Sequence, residues 1–294
     1  MALQLTGEIS LANIQTEFGG SDPISLSEYY SDGIYVPNST LGYPGGVVTT
    51  IPTSSQQTIS LANFYGSAKR IKQLYVITAS GYFQPAAGMT DVQILLVGGG
   101  GRGGAATVVP TAGGYASGGG GGAGQVILLN NITLPPPQES PLPPVNIVIG
   151  AGSNTAEQGG ATQIYYYPNF VNAGTLAYQA VGGYSGGQGS FSNGYSSGGS
   201  GGTSGNGFSG EVGLEYMGGG GGGATGRGIN DEPGPPYTVV IGGTTFTKGT
   251  GGWGDLGSLT GPNNSGNGGG GAVRTAKGTS GGYAGGSGVV IIYG

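Results

Sequence analysis

The chain has no cysteine and no histidine. Without cysteine there is no disulfide framework, no thiol nucleophile and no zinc–thiolate site. Without histidine the commonest metal ligand and general base are gone. Charge is scarce as well. Charged residues make up 7%, with 8 Lys and Arg against 13 Asp and Glu, for a net charge of −5. A sparsely charged acidic chain is a poor partner for nucleic acid or an anionic membrane surface. No apolar run approaches the roughly 20 residues of a membrane span. The N-terminus lacks a basic segment followed by an apolar one, so synthesis in a cytoplasm without an export signal is expected. No metal, cofactor or catalytic residue is expected from this inventory.

What fills the chain is glycine, 72 of 294 residues, about three times the usual share. It collects in runs at 98–101, 118–122, 218–223 and 268–271. Glycine loses more backbone freedom on folding than any other residue, so such runs ordinarily make linkers.

The first segment, residues 1–68, is different. Ile9-Ser10-Leu11-Ala12-Asn13-Ile14, Ile24-Ser25-Leu26-Ser27-Glu28-Tyr29 and Ile59-Ser60-Leu61-Ala62-Asn63-Phe64 repeat one pattern. Each reads as a helix start with serine as the N-cap. The preceding isoleucine can staple onto Ile14, Tyr29 or Phe64, and Ser25 with Glu28 fits a capping box. The first helix should stop at Gly19-Gly20 and the third at Gly66. Turns this short need tertiary packing or a partner. The link from Tyr30 to Gln57 holds several prolines and glycines and is expected to be irregular. The charges of residues 1–66 are all acidic (Glu8, Glu17, Asp22, Glu28, Asp32), and Lys69, Arg70 and Lys72 follow them. That shift marks a boundary at 68/69, read either as a solvated linker or as a docking contact.

This order of motifs resembles the short N-terminal module of many phage virion proteins, above all tail fibres and tail-tip proteins. The resemblance covers most of the first 66 residues. It implies that residues 1–68 tether the chain to other tail or baseplate proteins.

In residues 69–294, apolar runs rich in Val, Ile and Tyr read as strands: 74–77, 92–97, 125–129, 145–149, 237–241 and 289–293. Their near-continuous apolarity suggests burial on both faces. Ile164 to Pro168 reads as an edge strand. Residues 134–144 must be an extended polyproline-type connection.

Four readings of the glycine runs compete. A linker would not carry strand signals among its glycines. Collagen needs a strict three-residue period, which is missing. A phosphate loop needs a following helix, and Pro110, Gly113 and Gly114 stand where it would be. The fourth is a packed polyglycine-II slab, in which many parallel passes pair their backbone groups with neighbours. The fold class expected is mainly β with a glycine-rich, polyglycine-II-like slab, preceded by a small module of short helices.

Here too there is a resemblance. The stretch 78–101, the strand Asn146 to Gly152 and the closing Ser287 to Tyr293 resemble the glycine-rich domain of phage tail-fibre proteins. The domain is similar in kind to the polyglycine-II tip adhesins of T-even-like phages. The resemblance implies a trimer, or the cap of one.

Between the glycine runs lie loops rich in Tyr, Ser, Gly and Asn, a composition suited to recognition. The contact candidates are Tyr115, Tyr184, Phe191, Tyr195, Phe208, Tyr216, Trp253 and Tyr283, each with a packing role as its alternative. The acids of this segment are scattered, and the neighbours Glu211/Glu215 and Asp231/Glu232 are the nearest thing to a glycosidase pair. Three functions are therefore carried forward. The first is a tail protein binding a host polysaccharide or outer-membrane protein, the second a purely structural virion component, and the third a polysaccharide depolymerase.

Overall fold

The computed structural model describes residues 3–4, 6–30, 35–36, 41–42, 51–52, 57–65, 67–68, 72–85, 89, 91–109, 114–134, 145–155, 158–166, 174–192, 195–254 and 259–294. Among the described residues the fold is mainly β with one α-helix, and the chain divides into two compact units. Unit 1 holds residues 1–72 with 86–90 and Gly294, and unit 2 holds 73–85 with 91–293.

In unit 1 each Ile-Ser-Leu motif begins a turn. The first makes helix α1 (Leu11–Phe18), the second and third the 3-10 turns Leu26–Glu28 and Leu61–Phe64. Ser10 caps α1 by accepting from the Asn13 N–H, and Asn13 returns the favour by accepting from the Ser10 N–H at 2.9 Å. Asn63 does the same for Ser60 at 2.7 Å. The box expected from Ser25 and Glu28 does not form: Ser25 accepts from the Ser27 N–H, because a three-residue turn brings that amide closest. Ser10→Ala should cost about 1 kcal/mol, read from urea unfolding of unit 1; a change under a few tenths would show that the cap is idle. Helix α1 ends at Gly19, φ +88°, as its sequence requires. The stop at Gly66, Lys69 and Arg70, most of the link from Tyr30 to Gln57, and 135–144 of the proline-rich stretch lie outside the described residues.

The three turns pack on each other. Ile14, Phe18, Tyr29 and Phe64 are fully buried in one cluster with Ile9 and Ile51. The Phe64 ring meets Phe18 edge-on at 6.0 Å and Tyr29 at 6.3 Å.

Unit 2 begins at an antiparallel sheet whose strands lie in the order Leu74–Ile77, Val289–Tyr293, Val92–Val97, Val126–Ile132. Its two central strands are buried on both faces, as expected. The outer strand and the hairpin strand Tyr237–Ile241 are not: Val76 is 51% and Val240 61% exposed. The hairpin has only one covered face, lying over the sheet through Tyr237, Val239 and Phe246, and the strand Leu74–Ile77 has a neighbouring strand on one side alone. The hairpin turns at Gly242-Gly243 with φ +56° and +79°, the pair of positive values a two-residue turn of this twist demands. In a second sheet, Thr162–Tyr166 lies between Thr175–Ala180 and Val145–Val148. It is therefore an inner strand and not the edge strand its tyrosines and Pro168 suggested.

From these sheets the chain runs out into glycine passes that form a lattice. The pass 118–125 is its centre. Its N–H groups take neighbours in rotation: Gly118, Gly121 and Gly124 donate to 266–272, Gly119, Gly122 and Gln125 to 181–187, and Gly120 and Ala123 to 219–222. Its carbonyls accept in the same rotation from 98–104, 199–205 and Gly252. That is the three-fold period of polyglycine II, about 9.3 Å per repeat, with every N–H from Gly118 to Gln125 paired. Neighbours run in both directions rather than all parallel. The pass 98–104 is antiparallel to 118–125, while 199–205 is parallel to it. Backbone groups radiate perpendicular to a pass, so pairing works either way.

The rows explain where glycine is required. A Cβ at any of Gly118–Gly122 would sit 2.0–2.2 Å from a neighbour's carbonyl oxygen. Residues 182, 185 and 188 form one row. At Gly182 a Cβ would lie 1.9 Å from the Gly159 carbonyl oxygen. Further along the row Ser185 is half-buried and Gln188 exposed, and both carry side chains.

Candidate functional site

The hydrogen-bond register sorts the loops to two ends. The near end carries two of the three four-stranded sheets, those of Val289–Tyr293 and Thr162–Tyr166, and the chain enters the unit there at Gln73. The far end lies past Gly104, Gly118, Gly187, Gly199 and Ala272, which pair with one another or with immediate neighbours. Small strands at 106–108, 116–117, 189–192, 273–274 and 278–280 close it.

Four of the aromatic candidates, Tyr115, Phe191, Tyr195 and Tyr216, reach the far end, and Trp253 and Tyr283 stand short of it, at the level of Gly103, Gly270 and Gly271. Tyr115 is half-buried at that end; Tyr283 is half-buried too, its carbonyl accepting from the Gly103 N–H. Tyr216 is 54% exposed at the tip of the turn closed by Leu214 N–H to the Met217 carbonyl. Trp253 is half-buried, its carbonyl bonded to the Gly271 N–H. Tyr195 begins the strand Tyr195–Ser197; its side chain lies outside the described residues. Phe191 is a correction: it is only 8% exposed, packed with Ala106, Val108, Ala116 and Ala272. It holds the loop together and is not presented for contact. The remaining two are elsewhere. Tyr184, 49% exposed, stands midway along the flank, and Phe208, 39% exposed, lies toward the near end.

The far end also exposes Leu214 and Met217, while Ile229 and Leu259 are exposed along the flank, beside Gly220 and Gly270. A search for aromatic loops passes over these aliphatic residues, and nothing in composition separates them from core. Beside Trp253 the passes 249–254, 259–262 and 266–272 enclose a cleft of about 200 Å³. The acids are spread over these turns: Glu215 and Glu232 are exposed, Glu211 and Asp231 half-buried. Glu157, Glu139 and Asp255 lie outside the described residues. Among the described residues no group of three or more His, Cys, Asp or Glu could hold a metal, and no helix is long and apolar enough to cross a membrane.

A lattice of glycine passes capped by short sheets and carrying its side chains on the rim defines a glycine-rich scaffold protein. The sequence model of the glycine-rich domain family matches residues 78–294, and the chain belongs to that family. No curated protein sequence matches it.

Proposed function

We propose that the chain is a phage tail protein whose first unit attaches it to other tail or baseplate proteins and whose second recognises the host-cell surface. The observation that carries the reading is the turn that exposes Leu214, Tyr216 and Met217 at the end opposite the point where the chain enters unit 2. Contact residues on short turns held by a rigid scaffold lose little entropy on binding. The Ile-Ser-Leu resemblance supports the attachment role. On this reading the protein binds and does not catalyse, and its place is the virion tail.

Leu214→Ser with Tyr216→Ser tests it. Both side chains are exposed, so folding is expected to survive. Adsorption of particles to host cells should fall at least tenfold, the scale of losing one to two contact hot spots. Normal adsorption would instead favour the second reading, a purely structural slab. Release of reducing sugar from host polysaccharide would favour a depolymerase.

A further inference from the structure

We propose that the cleft beside Trp253 binds a single neutral sugar residue of a surface polysaccharide, which narrows the receptor class within the recognition function above and rests on it. The cleft is about 200 Å³, smaller than the 300 Å³ or more of pockets for drug-sized ligands. One pyranose ring suits that size, and a peptide helix or an oligosaccharide does not.

The lining is of two kinds. Trp253 and Leu259 are apolar; Thr250, Thr260 and Asn267 are polar and uncharged. The hydroxyls of Thr250 and Thr260 and the amide of Asn267 are uncharged hydrogen-bonding groups that match the hydroxyls of a neutral sugar. An indole face accepts the C–H face of a sugar ring, and its N–H is a donor. Thr250 and Trp253 are three residues apart on one pass and so point to one side, about 9.3 Å apart along it. A ring therefore finds an apolar plate at one end and hydrogen-bonding groups at the other.

These groups are held in place. The Asn267 side-chain oxygen accepts from the Thr250 N–H at 3.0 Å, and the Asn267 N–H donates to the Ser265 hydroxyl at 3.0 Å. That leaves the Asn267 amide as the donor toward a ligand. The floor is glycine backbone that cannot be rebuilt. A Cβ at Gly252 would meet the Gly269 oxygen at 2.1 Å, and one at Gly268 the Gly121 oxygen at 1.9 Å. Such a floor is pre-organised, so little ordering opposes binding.

Trp253 is the sole tryptophan of the chain, so its emission reports this cleft alone. The purified full chain is titrated with glucose, galactose, mannose, rhamnose and N-acetylglucosamine while indole fluorescence is followed. A saturable change with at least one sugar is expected, with Kd on the order of 1 mM, the scale of a few kcal/mol of binding. Thr260 is exposed, so Thr260→Arg should fold normally, block the mouth and weaken that response at least tenfold. No saturable change with any of the sugars overturns the proposal, and so does an unaltered response in Thr260→Arg. The two readings fail separately. If the sugar response is absent while Leu214→Ser with Tyr216→Ser still lowers adsorption, the sugar site falls and host recognition stands. If the sugar binds and adsorption ignores both variants, the site stands and host recognition falls.

Discussion

Gly120→Ala is expected to prevent unit 2 from reaching its native lattice. The added Cβ would lie 2.0 Å from the Gly252 carbonyl oxygen and 2.9 Å from that of Trp253. Both are backbone atoms, so no side chain can swing aside. Moving the pass away would break the bonds from Gly120 N–H to the Gly219 oxygen and from Gly252 N–H to the Gly121 oxygen. Those neighbours are themselves held by other passes, so the displacement spreads. Overpacking a core ordinarily costs about 1–3 kcal/mol; here the cost should exceed about 3, because the lattice has no soft side chains to absorb it. Gly81→Ala is the control. Nothing lies within 4 Å of its Cβ, and with no positive φ to strain it the change should be neutral or stabilising by up to about 1 kcal/mol. Urea unfolding followed by circular dichroism distinguishes them. Equal stability of the two variants would overturn the lattice account. In the parent chain the amides of Gly118–Gly124 should exchange slowly, and exchange at unfolded-chain rates would make these passes linker after all.

Phe64→Ala should remove the cooperative fold of unit 1. Its ring is fully buried and touches Phe18 and Tyr29 edge-on, so it joins all three Ile-Ser-Leu turns. Truncating a buried phenylalanine costs about 3–5 kcal/mol. A unit of some 70 residues with one short helix has little more than that to lose. Amide protection at Ile14 and Phe18 should vanish, while Thr16→Ala, at an exposed position of the same helix, should leave it unchanged. Retained protection in Phe64→Ala would mean that the turns do not depend on one another.

The legible parts of the sequence are those decided by near neighbours along the chain. Ser10 and Ser60 announce their turns because a cap acts within three residues. Val92–Val97 and Val289–Tyr293 announce strands because an apolar run that long needs two buried faces. The choice between Glu28 and Ser27 as partner of Ser25 was not legible, since it depends on how tightly the turn winds. Nor was the inner place of Ile164 to Tyr166, whose second neighbour, Thr175–Ala180, carries no apolar run to announce it.

The contact surface divides the same way. Phe191 and Tyr216 have the same loop-like surroundings in sequence. One is buried among alanines and the other stands in solvent, because the loops bearing them meet different passes. By itself the sequence determined that glycine runs stacked between strands must pair their backbone with something, since a buried amide left unpaired is too costly. Only the tertiary structure decided which pass meets which. That in turn decided which rows must be glycine and which can hold side chains. A residue three places along a pass from a forbidden Cβ is free to carry one where the row comes to the surface, as Gly182, Ser185 and Gln188 show.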